Sequence, residues 1–376
     1  MVFDLYDRYD YAQILNKFHN QVVYYKKQVV CMAMGEDTYK KHHLPNAINF
    51  QGLYKSNIIL DGYLDNYIYG TLGAANEESP TDINYNLNNT PRDNLGYLHS
   101  YFPKSFAEMY CIFDNLLSYP IINEQYKKLE TFRILCVGVG TGGDVAGTLK
   151  AVFENLPNIK TVEIVNIDGN KDALDNSSKI IYKMRDHYHK EGKVDIIEQT
   201  LETDFKLEVV NNYSFDIVLT NKFLNEIIKT NNKFQNHALV YYNFINAVKN
   251  YLKDNSLLVV SDVADCIIQG EDDKWFFPEM LAQGAFEAVK ADPNLKILLP
   301  LTCDNHDTCK VGDYNRCYTK NTFTVKHSSV DNSVECKIGY RVLCKQALYQ
   351  KINPNTSKKY YACVGYSVRC ICNRLN

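Results

Sequence analysis

From Arg133 onward, short apolar runs alternate with stretches of helical period. The runs are Ile134–Val137, Thr161–Ile167, Val194–Ile197, Phe215–Leu219 and Ser256–Ser261. Between and after them, Asp144–Leu156, Lys171–Asp186, Asn236–Leu252 and Phe277–Val289 place apolar residues three and four apart. Apolar runs of strand length bounded by turn residues predict buried strands, and the longer periodic stretches predict helices. The order βαβαβαβα predicts an α/β fold: a doubly wound parallel sheet with right-handed crossovers.

The pattern before Arg133 is different. A helix is predicted over Ser105–Leu117, with Phe106, Met109, Tyr110, Phe113, Leu116 and Leu117 at helix-face spacing. Asn76–Arg92 is rich in Asn, Pro and Asp and reads as a loop, and Tyr11–Tyr25 has helical character. Beyond Asp313 the strand candidates are Thr322–Lys326, Gly339–Cys344 and Tyr361–Ile371. The resulting division is a mostly helical extension over 1–95, a doubly wound sheet domain over 96–300, and a Cys-rich segment over 301–376 carrying the last strands of the sheet.

Composition narrows the class. At 45% hydrophobic and 23% charged residues, the 376-residue chain resembles an ordinary globular protein. No run of eighteen apolar residues occurs, so no membrane span and no membrane partner is expected. The first residues are acidic and aromatic, unlike a secretory or transit leader, which points to the cytoplasm. Net charge is −3, yet residues 301–376 alone carry a balance of +7, leaving −10 on the first 300. A basic C-terminal fifth could face nucleic acid, or could be a solvated surface.

The first candidate chemistry is Ile134-Leu-Cys-Val-Gly138-Val-Gly140-Thr-Gly142-Gly143-Asp144, a glycine-rich turn leaving a strand and opening a helix. Glycines let the backbone turn sharply and approach a ligand closely. Thirty residues after Gly138, Asp168 ends the next strand, where a carboxylate can accept the ribose hydroxyls of a nucleoside. Nicotinamide dinucleotides favour G-x-G-x-x-G. The third glycine here comes one residue early, a spacing that resembles the S-adenosylmethionine loop of methyltransferases. Candidate cofactor residues are therefore Gly138, Gly140, Gly142, Asp144 and Asp168. The acidic residue often found before such a loop is replaced by Cys136-Val137. Further on, Phe215–Glu226 runs from a strand into a helix but carries neither Asn/Asp-Pro-Pro-Tyr nor Pro-Cys. Asn221 and Glu226 are the catalytic candidates, and a helix-capping role is the alternative for both.

Eight of the 12 cysteines follow residue 300. With no secretion signal, metal or cluster binding is favoured over a disulfide framework or a disulfide-linked partner. Cys303, Cys309 and Cys317 form C-x5-C-x7-C with His306 in the first gap, on a polar segment with little apolar neighbourhood to bury them. Thiolates of this kind bind zinc or an iron–sulfur cluster. The fourth ligand could come from Cys370 or Cys372, and His306 could complete a Cys3His zinc site. Cys336, Cys344 and Cys363 read as core residues.

Together these features resemble the methyltransferase-like proteins associated with the small subunit of the mitochondrial ribosome, and their bacterial relatives. The resemblance runs from about Gly96 to the C-terminus. It is carried by Gly96-Tyr-Leu-His-Ser-Tyr-Phe-Pro103-Lys-Ser-Phe-Ala107, Leu224-Asn-Glu226-Ile, Cys303…His306…Cys309…Cys317, Lys337-Ile-Gly-Tyr340-Arg-Val-Leu343 and Gly365-Tyr-Ser-Val-Arg-Cys-Ile-Cys372. It implies a Rossmann-like fold of the class I methyltransferase type and a four-iron, four-sulfur cluster on Cys303, Cys309, Cys317 and Cys372, with zinc the runner-up. It also implies a role near ribosomal RNA in small-subunit assembly, and a possible mitochondrial address. The function expected is that of a methyltransferase-like protein acting on or near ribosomal RNA. The alternatives are a non-catalytic assembly factor and a methyltransferase for a small molecule or protein.

Overall fold

The computed structural model describes residues 57–75, 89–190, 192, 195–203, 210, 213–230, 237–264, 266–269, 273–299, 320–330, 334–352, 360–364 and 369–373. Within these, the first elements are strand β1 (Asn57–Ile59), helix α1 (Gly62–Asp65) and a π-helical turn over Asn66–Thr71. Helices α2 (Pro91–Ser100), α3 (Phe102–Ser118) and α4 (Pro120–Tyr126) follow. The alternating region then gives β2 (Thr131–Val137), α5 (Gly143–Asn155), β3 (Thr161–Asp168), α6 (Lys171–Lys190) and β4 (Asp195–Glu202). It continues through β5 (Phe215–Asn221), α7 (Leu224–Thr230), α8 (Ala238–Val248) and β6 (Leu252–Val263). A small hairpin, β7 (Cys266–Gln269) and β8 (Asp273–Phe276), leads into α9 (Phe277–Ala291) and β9 (Leu295–Leu299). The last elements are β10 (Lys320–Lys326), β11 (Val334–Lys345), α10 (Gln346–Ile352), β12 (Tyr360–Val364) and β13 (Arg369–Asn373).

Five parallel strands make the centre of the sheet in the order β4-β3-β2-β5-β6. The order reverses between β2 and its two neighbours, β3 and β5, which sets the switch point of a doubly wound sheet at the end of β2. Beyond β6 the sheet becomes mixed, because β11 runs antiparallel to β6. The first half of β11 pairs with β10 and its second half with β9, on the side away from β6. At the far edge β1 pairs parallel with β10, a strand the sequence pattern did not announce. The fold is thus Rossmann-like mixed α/β.

The side chains of β2 show why two faces are covered. Phe132, Ile134 and Cys136 join one core with Phe106, Phe113 and Leu149, whereas Leu135 and Val137 join the other with Tyr241, Phe244 and Ile245. Alternate residues of a strand point to opposite faces, so a continuous apolar run needs a helical layer on each side. The layer formed by α3 and α5 is unusually close. A Cβ on Gly143 would lie 2.6 Å from the Phe102 carbonyl oxygen, and one on Gly147 would overlap the carbonyl oxygen of Phe106. Only glycine permits that approach.

Several expectations are corrected. Tyr361–Ile371 is not one strand but an antiparallel pair, β12 with β13. The loop expected through Arg92 ends sooner, since α2 starts at Pro91. There Thr90 Oγ1 accepts the Asp93 N–H while Asp93 accepts the Thr90 N–H, a capping box with proline at the first helical position. The strand β9 was also missed. The helix expected at Tyr11–Tyr25 and the segment with Cys303, His306, Cys309 and Cys317 lie outside the described residues. Among the described residues no helix is long and apolar enough to cross a membrane.

Candidate functional site

The glycine loop sits at the carboxyl end of β2, at the switch point. Gly138, Gly140 and Gly142 all adopt left-handed backbone angles, with φ of 73°, 51° and 87°. The N–H groups of Gly138 and Val139 both reach the Ile167 carbonyl, and the Gly142 N–H donates to the Val139 carbonyl at 3.0 Å. A Cβ at Gly138 would overlap the Phe223 ring, and one at Gly142 would lie 2.5 Å from Ser177 Oγ. Gly140 differs. Its Cβ direction has nothing within 4 Å, so the loop turns its middle glycine toward open space.

Asp168, ending β3, clamps this loop. Its Oδ2 accepts the Gly140 N–H at 2.7 Å and its Oδ1 accepts the Asn170 N–H at 2.8 Å. Burial raises the Asp168 carboxyl above its ordinary value, against these backbone donors. An ionised carboxylate offers about four lone-pair directions, so acceptor capacity remains beyond these two bonds. Asp144 points elsewhere. It is buried in the first turn of α5, where it accepts the Cys136 thiol at 3.2 Å and the Val145 N–H at 2.8 Å, and burial pushes it up to about 7. A carboxyl group therefore does face position 136, supplied from position 144.

The carboxyl ends of β5 and β6 complete the edge. Asn221 is buried: its Nδ2 donates to Glu108 at 3.2 Å and its Oδ1 accepts Ser261 Oγ at 2.7 Å. Next to it, Lys222 pairs with the buried Glu108 at 2.6 Å and has φ of 58°, alone among described non-glycine residues in being positive. Burial raises the Glu108 carboxyl and the Lys222 ammonium opposes that rise. Strained backbone held by a buried ion pair at a strand end marks a position the fold specifies tightly. Asp262, closing β6, accepts Asn225 Nδ2 at 2.5 Å, the Tyr241 hydroxyl at 2.7 Å and the Val263 N–H at 2.8 Å; burial raises it to about 6.

Glu226 begins α7 on the same edge. The Tyr97 hydroxyl of α2 donates to its Oε1 at 3.3 Å. Burial pushes its carboxyl up to about 8, and the carboxylates of Asp168 and Asp262 add to the rise. Three acids, from the ends of β3 and β6 and the first turn of α7, thus share one electrostatic neighbourhood around the loop. The ionised form of such a group, populated as pH rises toward about 8, is the form that can take a proton during a reaction. Sequence reading missed Tyr97, Glu108, Lys222 and Asp262. For Asp262 a signal was present, because it directly follows an apolar run, as Asp168 does on β3.

No family model and no curated protein matches the sequence. Among solved structures, the plantazolicin methyltransferase BpumL in complex with SAH is 12% identical over 76% of this chain and 99% of its own, with TM-score 0.38. The precorrin-6y C5,15-methyltransferase from Geobacter metallireducens is 11% identical over 60% and 85%, with TM-score 0.30. The METTL16 methyltransferase domain is 11% identical over 61% and 81%, also with TM-score 0.30. At these values the assignment of the fold rests on the strand order and the loop themselves.

For the metal, Cys370 and Cys372 lie on β13, whose backbone pairs them with Cys363 and Tyr361 of β12. Cys303, His306, Cys309 and Cys317 are outside the described residues, so the site they would form is not seen. Among the described residues no group of three or more His, Cys, Asp or Glu could hold a metal. Cys336 and Cys344 are buried thiols on β11, in no disulfide among the described residues.

Proposed function

We propose that this chain binds S-adenosylmethionine at the Gly138–Gly142 loop and transfers its methyl group. The observation that carries the reading is the open space beyond Gly140, in a loop clamped by Asp168 at the switch point of the sheet. A side chain there would fill the cradle in which a nucleoside-linked amino acid fits. Asp168 would hold the ribose hydroxyls with its remaining acceptor positions, and the loop backbone would hold the methionine portion. The cofactor supplies an electrophilic methyl group. The protein's part is to orient the acceptor at the ends of β5 and β6 and to receive the proton that the acceptor loses. Glu226 in its ionised form is the group assigned to that proton: its raised carboxyl makes the carboxylate a stronger base, and it stands on this edge.

The acceptor reading is RNA, near the small ribosomal subunit. It is supported by the resemblance over Gly96–Ala107, Leu224–Ile227 and Lys337–Leu343 and by the basic balance of residues 301–376. The same resemblance supports a four-iron, four-sulfur cluster on Cys303, Cys309, Cys317 and Cys372, with one zinc ion the competing occupant. Calorimetry with S-adenosylmethionine, S-adenosylhomocysteine and NAD tests the cofactor, and the first two should bind while NAD does not. Labelled methyl transfer to small-subunit RNA tests the acceptor. Cofactor binding without transfer to RNA, protein or small molecules would make the chain an assembly factor instead.

A further inference from the structure

We infer that Asn94, on a helix preceding the first central strand, positions the Asp168 carboxylate and so serves the cofactor site without touching the cofactor. The inference rests on Asp168 being the ribose acceptor, as proposed above.

The argument is a chain of hydrogen bonds. Asp168 Oδ2 holds the Gly140 N–H at 2.7 Å, and its Oδ1 holds the Asn170 N–H at 2.8 Å. Asn170 is itself fixed at both ends of its side chain. Its Oδ1 accepts the Ala173 N–H at 2.9 Å, capping the start of α6, and its Nδ2 donates to the Asn89 carbonyl at 3.2 Å. The backbone N–H of Ala173 can only donate, so the oxygen of the Asn170 amide must face it. That settles the orientation of Asn94, whose Nδ2 donates to the same Asn170 Oδ1 at 3.2 Å. Asn94 and Asn170 are both buried, 2% and 5% exposed, so neither amide can exchange this partner for bulk water.

Asn94 reaches this place because α2 lies across the carboxyl edge. Its capping box fixes the first turn, and one turn after Asn94 the Tyr97 hydroxyl meets Glu226 at 3.3 Å. Residues three apart lie on one helix face, so α2 presents Asn94 to the β3 side of the edge and Tyr97 to the β5 side. The helix thereby spans both proposed halves of the reaction site, the ribose end at Asp168 and the proton-accepting end at Glu226. An amide lost at position 94 would take the Asn94 donor from Asn170 Oδ1 and leave the Asn170 backbone freer to move. The carboxylate hung on the Asn170 N–H would then lose its fixed aim.

The test compares two ligands on the full chain by calorimetry, S-adenosylhomocysteine and its 2′,3′-dideoxy analogue. Their affinity ratio reports the ribose hydroxyl contacts alone. In the wild type the ratio should be roughly tenfold or more, the scale of a hydrogen bond to a charged group. Asn94→Leu should cut that ratio by roughly three- to tenfold while changing the dideoxy analogue less than about twofold. It should add nothing further in an Asp168→Asn background. Asn94→Ala, with its melting temperature recorded, repeats the comparison if the leucine variant does not fold. Equal losses for both ligands would reduce Asn94 to a packing residue and overturn the inference, as would an unchanged ratio. A wild type that binds neither ligand overturns the cofactor reading itself, and this inference with it.

Discussion

Gly140 and Gly138 have similar backbone angles but different reasons to be glycine. Gly138 is closed in by Phe223, so Gly138→Ala should unsettle the fold around β5. Gly140 faces open space, so Gly140→Val should leave the fold largely intact, apart from the strain of its left-handed φ, and abolish S-adenosylmethionine binding in calorimetry. Asp168→Ala should weaken binding by about 1.5–3 kcal/mol, and more if the freed Gly140 N–H lets the loop relax. Glu226 makes a prediction in pH. Its folded value of about 8 lies above its ordinary 4.5, so the folded state holds the extra proton between those limits. Its contribution to stability is therefore fully present below about pH 4.5 and is lost as pH rises toward 8. Glu226→Gln should shrink that decline in melting temperature measured from pH 5 to 8. It should also lower the methyl transfer rate by roughly a hundredfold or more while S-adenosylhomocysteine affinity changes little. The loop and Asp168 were legible in sequence because both ends of a local strand–turn–helix unit carry the signal. Asn94, Tyr97, Glu108 and Lys222 were not, since what matters is which residues 76 to 129 positions away fold against them.

At the scale of elements, the central strands were legible because each is buried on both faces and so reads as a continuous apolar run. Their ends extend further than the apolar core, as in β6, where the register with β5 shifts across polar Lys253–Ser256 and the Lys253 N–H donates to Ser256 Oγ. What periodicity could not give was the pairing of β1, three residues long, or the hairpin inside Tyr361–Ile371. The helix α2 was hidden in Asn- and Pro-rich sequence, although Thr90-Pro91-Arg92-Asp93 carries a complete start signal. The contact of α3 with α5 is the element-level test. Gly147→Ala inserts a methyl group against the Phe106 carbonyl, where no rotamer change can relieve it. It should destabilise the protein by about 1–3 kcal/mol or more in urea unfolding, whereas Thr90→Ala should cost roughly 1 kcal/mol through the lost cap.

For the molecule as a whole, the last strands are not an appendage to the sheet. The antiparallel β11 lies inside it, bonded to β6 on one side and to β9 and β10 on the other, with Cys336, Ile338, Tyr340 and Val342 in the main core. If the proposed cluster forms between β9 and β10 and recruits Cys372, then anaerobic preparations should be brown, with about four irons per chain; a colourless protein with one zinc would favour the competing ion. Cys309→Ser should then lower the melting temperature of the metal-loaded protein and abolish metal uptake, whereas Cys336→Ser should leave uptake intact.

The interior place of β11 also has a consequence for the order in which the chain can fold. The parallel strands β2 to β6 leave the ribosome first, but the bare edge of β6 must wait for a partner about 70 residues further along. At ordinary elongation rates that is a delay of roughly 4 to 14 s. Throughout it, an apolar strand with the run Leu257–Val260 offers unpaired backbone groups to any neighbouring nascent chain. Newly made protein should therefore lean on chaperones more than its finished stability suggests, and synonymous codons that slow translation between Val263 and Val334 should lower soluble yield without altering the purified product.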